Sequence, residues 1–193
     1  QAWWSTANNW SGATVPVNSD IAILDGASPV LYGLDQSAVT VAELRIMRRF
    51  TGYAGLPKRN AIGYSEYFDD YLKIGPTLLN VGVGSGTGSG RIKINAGSTA
   101  STIIVDGTGN PVEKDVPAFC FVGTSSSNSL TVNGGSVGVG VFDEASDLSG
   151  GITLNGGSLY IGKGVTLGPI TKNGGTLIVA GATMSAAALR IKG

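Results

Sequence analysis

Apolar and polar residues alternate along most of this chain with a period of two. The segments "DIAILDG", "VTVAELRIM", "RIKINAG", "STIIVDG", "SLTVNGG", "SVGVGVF", "GITLNGG", "SLYIGKG" and "GTLIVAG" carry the alternation, and most close on Gly, Asn or Asp. Such a period marks strands with one buried face, and the closing residues mark turns. Helical periodicity is weak. Its best candidate is the tail "TMSAAALRIKG", residues 183–193, and that stretch is short.

A longer period lies over the short one. The phrase "LTVNGGSVGVGVF" returns as "ITLNGGSLYIGKGV" and as "ITKNGGTLIVAGAT". The shared asparagines are Asn133, Asn155 and Asn173, spaced 22 and 18 apart. A looser copy, "RIKINAGSTASTIIV", puts Asn95 in the same slot, 38 residues before Asn133. Whole-unit repeats of about 20 residues characterise coiled β-architectures, in which each turn stacks on the last. Asn and Gly reach positive φ at low cost, so Asn-Gly-Gly makes a corner. In a stacked coil these corners fall above one another. Val, Ile and Leu then form an inward core, and the Asn side chains form a hydrogen-bonded ladder. The expected fold is all-β, a right-handed parallel β-helix (solenoid). An antiparallel β-sandwich is the alternative, because its strand lengths and turn spacing are similar.

The whole chain, 1–193, is expected to be one β-solenoid domain. Within it, 1–30 is a Trp-rich cap, 45–71 an aromatic and basic loop insertion, and 72–193 the regular rungs. The cap holds Trp3, Trp4 and Trp10. Large rings plug the open end of a solenoid or meet a neighbour, and stacking on a sugar is the rival use. The insertion reads "RIMRRFTGYAGLPKRNAIGYSEYFDDY" and holds six of the fourteen aromatic residues. Its interface candidates are Arg48, Arg49, Phe50, Tyr53, Lys58, Arg59, Tyr64, Tyr67, Phe68 and Tyr71, because Tyr and Arg dominate protein contacts. A local cap over the core is the competing reading. Between 81 and 90, "VGVGSGTGSG" places Gly at every second position, which suits close backbone approach or a flexible connection.

Charge and composition narrow the function. Lys+Arg and Asp+Glu number 13 each, so the net charge is zero, and charged residues make up only 13%. Nucleic-acid binding calls for a positive excess, so no nucleic-acid partner is expected. A neutral chain with 31 glycines is poorly protected against self-association, which hints at assembly. No run of 18 apolar residues occurs, so no membrane partner is expected. The chain starts at Gln1 rather than Met, which implies processing or an upstream start. One cysteine, Cys120 in "AFCFV", reads as a buried thiol.

Histidine is absent, which removes Ser-His-Asp and Cys-His chemistry and His-ligated metals. Paired carboxylates remain: Glu66, Asp69 and Asp70 in the insertion, and Asp143, Glu144 and Asp147 in "FDEASD". The second group reads first as a solvated loop. "GSGTGSG" lacks the following Gly-Lys-Ser/Thr of a phosphate loop, and "VDGTGN" reads as a turn rather than a calcium loop. No catalytic residue, metal or cofactor is expected.

Three motifs carry a resemblance. They are Asn-Trp-x-Gly-x-x-x-Pro at 9–16, Leu-Tyr-Gly-Leu-Asp-Gln-Ser at 31–37 and Phe-Thr-Gly-x-x-Gly-Leu-Pro at 50–57. With "GYSEYFDDYLKIG" and "GSGRIKIN", they make residues 8–140 similar to a group of tailed-bacteriophage and prophage β-helix structural proteins. The last third matches only a generic β-helix. The resemblance implies a virion protein on the capsid exterior that decorates the head or forms fibres. Its implied partners are the major capsid protein and itself, as a homotrimer. The expected role is a capsid decoration, or cement, protein. A tail fibre or spike module that binds or cleaves host polysaccharide is the alternative, and a fragment of a secreted bacterial adhesin is a third.

Overall fold

The structure, a computed structural model, describes residues 2–26, 31–56, 71–180, 183–184 and 189–191. Among these residues the regular structure is strand, with one 3-10 turn at Ala7–Asn9. The first sheet has eight strands: β2 (Ile21–Leu24), β4 (Glu43–Met47), β6 (Leu78–Val83), β8 (Thr102–Val105), β10 (Ser129–Val132), β13 (Ile152–Leu154), β16 (Ile170–Lys172) and β19 (Leu189–Ile191). The second has six: β5 (Leu72–Lys73), β7 (Ile92–Asn95), β9 (Phe119–Val122), β11 (Ser136–Val139), β14 (Ser158–Ile161) and β17 (Thr176–Val179). The third has three: β12 (Ser146–Leu148), β15 (Val165–Leu167) and β18 (Thr183–Met184). A two-stranded sheet joins β1 (Ala2–Trp3) to β3 (Leu31–Tyr32).

Every strand pairing among the described residues is parallel. That arrangement does not fit the antiparallel sandwich. From β10 onward the chain visits the first, second and third sheets in turn and then repeats the circuit. The tail, where the weak helical periodicity was best, supplies β18 and β19. "FDEASD", expected as a loop, ends by entering β12.

Period-two alternation and parallel register together build the core. On the first sheet, Ala22, Leu44, Leu79, Ile103, Leu130, Ile152 and Ile170 follow one another across the pairings. Leu24, Ile46, Val81, Val105, Val132 and Leu154 form a second column beside them. On the second sheet, Leu72, Ile94, Phe121, Val139 and Ile161 form a third. All of these side chains are buried in one cluster. Each fully buried aliphatic side chain contributes about 1.5–3 kcal/mol relative to exposure.

The corners hold the register. Asn155 Nδ2 donates to Asn133 Oδ1 at 2.8 Å, and Asn173 Nδ2 donates to Asn155 Oδ1 at 2.8 Å. The expected Asn ladder therefore exists, but its first member is Asp106, whose Oδ1 accepts from Asn133 Nδ2 at 2.8 Å. Asn95 is not part of it. That residue ends β7 on the second sheet, where its Oδ1 accepts from the Gly97 amide. The positive φ of each corner falls on the second glycine rather than on Asn: 87° at Gly135, 70° at Gly157 and 69° at Gly175. A Cβ at Gly157 would lie 2.4 Å from the Gly135 carbonyl oxygen, so the close stacking of corners requires glycine there.

A second corner uses a buried amide that the sequence did not single out. Asn128 accepts from the Ser101 amide at 2.9 Å and donates to the Asp147 carbonyl at 3.1 Å, tying three successive passes together. The alternating glycines of 81–90 resolve toward close approach: a Cβ at Gly82 would lie 2.0 Å from the Gly107 carbonyl oxygen.

Two substitutions test this account. Phe121→Ala empties a fully buried site and is expected to cost about 3–5 kcal/mol in denaturant unfolding. Asn155→Ala removes two ladder hydrogen bonds at an exposed corner and is expected to cost about 1–2 kcal/mol. Equal costs for the two would contradict the division between core and corner.

Candidate functional site

The N-terminal aromatic residues divide by role. Trp4 is fully buried in the main core. Trp10 meets it edge-on, with centroids 4.8 Å apart and planes at 71°, and Trp10 Nε1 donates to the Trp4 carbonyl at 2.9 Å. The 3-10 turn Ala7–Asn9 folds the chain back so that this contact forms, and Asn9 Nδ2 donates to the Trp3 carbonyl at 2.8 Å. Such ring packing suits covering the end of a core. Trp4 is thus an interior residue of its own chain rather than a surface contact. Trp3 is 49% exposed.

Beside this end runs β2, the terminal strand of the first sheet. Its alternation turns Ala22 and Leu24 inward and leaves Ile21 and Ile23 outward, 55% and 44% exposed. Val17 is exposed beside them. A shallow groove runs here between Trp10, Pro16 and the two isoleucines, with Asp20 and Asp25 on its rim. Exposed β-branched residues on a sheet edge are an association surface unless something blunts or covers them.

The aromatic and basic segment does not begin as an insertion. Its first residues, from Arg45 to Met47, belong to β4, and the boundary at 45 is corrected accordingly. Arg45 forks onto Glu43 at 2.8 and 2.7 Å, and Asn80 Nδ2 adds a bond to the same carboxylate at 2.6 Å. The Arg45 guanidinium, aided by Asn80, holds the Glu43 carboxyl below its usual range against a burial effect of opposite sign. Arg49 pairs with Asp25 at 2.6 Å across exposed surface. Phe50 and Tyr71 are buried, and Tyr71 Oη donates to Glu144 Oε1 at 3.1 Å. These two aromatic residues serve the chain's own interior and cannot meet a partner without opening it. Lys58, Arg59, Tyr64, Tyr67 and Phe68 lie outside the described residues, as do Glu66, Asp69 and Asp70.

The outer face of the second sheet holds the cluster that sequence reasoning missed. Lys93 points away from the core between Ile92 and Ile94, yet it is only 1% exposed. Its Nζ donates to the Leu56 carbonyl and to Glu113 Oε2, each at 3.1 Å, and stands 5.3 Å from the Phe142 ring centroid. Arg91, also buried, donates from Nε to the Gly55 carbonyl at 3.1 Å, and its Cζ lies 4.1 Å over the Tyr53 ring. Arg91 Nε and Glu113 Oε1 are 3.6 Å apart. One carboxylate thus stands against two cations beneath a covering of chain. Register places Cys120 beside Lys93 and Gly138 beside Cys120. A Cβ at Gly138 would meet Pro117 Cγ at 2.7 Å, so the cover sits directly on the sheet there. The thiol is buried as expected, and burial pushes it up to about 12, with the Lys93 charge acting in the opposite direction.

The remaining carboxylates hold local bonds. Glu144 Oε2 accepts from the Phe142 amide at 2.7 Å, and Asp147 Oδ1 accepts from the Ser149 amide at 2.8 Å. Asp143 sits at φ 64° in the turn before them. Among the described residues, no group of three or more Cys, Asp and Glu is arranged to hold a metal ion. Comparison of the chain with protein-family models, curated proteins and solved structures finds no match.

Removing Glu113 would leave two buried cations without their anion. Glu113→Gln is expected to destabilise the protein by about 3 kcal/mol and to speed labelling of Cys120 by a thiol reagent. Unchanged labelling in that variant would show that the cover does not depend on the ion cluster. The wild-type thiol gives a second readout. Its folded pKa lies above the unfolded value, so the stability it supports is complete below about pH 9 and falls as pH rises toward 12. Denaturant melts from pH 8 to 11 would register that decline, and Cys120→Ala would flatten it.

Proposed function

We propose that this chain is a structural protein of a tailed-phage particle, folded as a right-handed parallel β-helix, that decorates and stabilises the head. The parallel sheets, their repeated circuit and the corner ladder support the β-helix reading. The exposed Ile21 and Ile23 of the terminal strand β2, with Val17 just before them, carry the functional reading, since they make a surface suited to permanent burial. The major capsid protein, or a second copy in a homotrimer, is the partner proposed to bury it. At about 25 cal/mol per Å² of apolar surface, a small patch repeated over many copies would stiffen a shell.

The test compares shells with and without this protein. Bound protein is expected to raise the temperature at which shells burst, and Ile21→Asp with Ile23→Asp is expected to abolish both binding and protection. Equal burst temperatures with the wild-type protein bound would overturn the cement role. The groove that combines Trp10 with Asp20 and Asp25 favours a second reading, a tail fibre or spike module that binds host polysaccharide. Incubation with capsular polysaccharide distinguishes the two, because retention or cleavage of the glycan would support the second.

A further inference from the structure

Of the arginines with described side chains, Arg45, Arg49 and Arg91 each meet an acceptor or an anion. Arg48 differs. The residue is half-buried, and its Nε is buried with no hydrogen-bond partner among the described residues. The rest of the residue is firmly placed: its amide donates to the Val83 carbonyl at 2.8 Å, and its carbonyl accepts from the Gly88 amide at 2.9 Å. The guanidinium lies against the bare Cα of Gly107, where an ideal Cβ would come within 2.2 Å of Nη1 and 2.6 Å of Cζ.

This guanidinium lines a groove of about 420 Å³ with Thr51, Tyr53, Thr87, Thr108 and Asn110, closed elsewhere by glycine backbone and Val112. Among the described residues, no acidic side chain lines it. The acids close to the lining in sequence are engaged elsewhere: Asp106 heads the corner ladder, Glu113 accepts from Lys93, and Glu43 accepts from Arg45. Tyr53 is steadied by Arg91 on its ring. An arginine Nε held out of water without an acceptor among the described residues forfeits hydration, and a carboxylate would supply the missing acceptor through a charge-assisted bond. Thr51, Thr87 and Asn110 add side-chain hydrogen-bonding groups to the lining, whereas the Thr108 hydroxyl is already bonded to the Gly109 carbonyl and the Ser136 amide.

We propose that this groove takes an acidic, extended peptide segment of a neighbouring protein, with an Asp or Glu carboxylate seated on Arg48. The inference rests on the decoration reading for the identity of that neighbour and on the groove alone for its chemistry. The probe is a blocked Gly-Glu-Gly-Glu-Gly peptide, titrated calorimetrically into the full chain beside its Gln counterpart. Saturable binding is expected for the Glu peptide only. It should weaken about tenfold in Arg48→Gln, and also in Gly107→Ala, which keeps the charge but displaces the guanidinium. Arg48→Lys should restore part of it. Equal binding by a folded Arg48→Gln would overturn the proposal, as would capture of glucuronate in preference to the peptide. Shell binding separates the two readings. Wild type and Arg48→Gln holding the shell equally would sink this inference and leave decoration standing. Loss of shell binding by wild type alongside Arg48-dependent peptide binding would do the reverse.

Discussion

Parallel pairing in strict register is the constraint on which the other features depend. When a strand lies beside the strand one circuit later, each side chain stacks on the side chain at the same position of its neighbour. A slip of one residue would turn Leu79, Ile103 and Leu130 to the surface and bury Asn80, Ile104 and Thr131. The ladder of Asp106, Asn133, Asn155 and Asn173 works against such a slip, because its bonds form only when the corners coincide. Asn128 repeats the device in the interior, where an unmet amide would be costly.

The same stacking explains how charge is handled. Outward positions on the second sheet run Lys93, Cys120, Gly138, Tyr160 and Ile178. At one end of this row the chain folds back as a cover, and a lysine that would ordinarily face water is enclosed. Glu113 then becomes necessary, because an enclosed ammonium without an anion is strongly destabilising. On the first sheet the corresponding row is partly exposed, and Arg45 pairs there with the buried Glu43 carboxylate, with Asn80 as a third partner. One architecture therefore gives a covered outer face and an open one, and the proposed contacts fall on the open surfaces and the apolar end.

Much of the strand pattern was legible because one-sided burial writes alternation into the sequence, as in Leu130 and Val132 against Ser129 and Thr131. The phrase "FCFV" carried no such pattern, since β9 is buried on both faces. Three-residue strands such as β12 and β15 are too short to show a period. Asn95 was misplaced because its local phrase mimics the corner, whereas the true slot is held by Asp106-Gly107 after "TIIV", an acid where the other corners have an amide. Among candidate contacts, the aromatic composition around Phe50 and Tyr71 was visible, but composition does not tell a ring that covers its own core from one that meets a neighbour. The cluster of Lys93, Arg91 and Glu113 was illegible because it depends on which distant loop folds over the sheet.

The order in which strands are bonded also sets how the molecule would respond to mechanical load. Each pass of the chain is held mainly by the pass before and the pass after. Tension applied at the two termini along the stacking direction would peel strands from the ends, opening a few backbone bonds at a time. Tension across that direction would load many bonds of a sheet at once. A protein of this build resists being sheared far better than being unravelled, so anchoring its ends to something rigid would remove its weakest mode of failure.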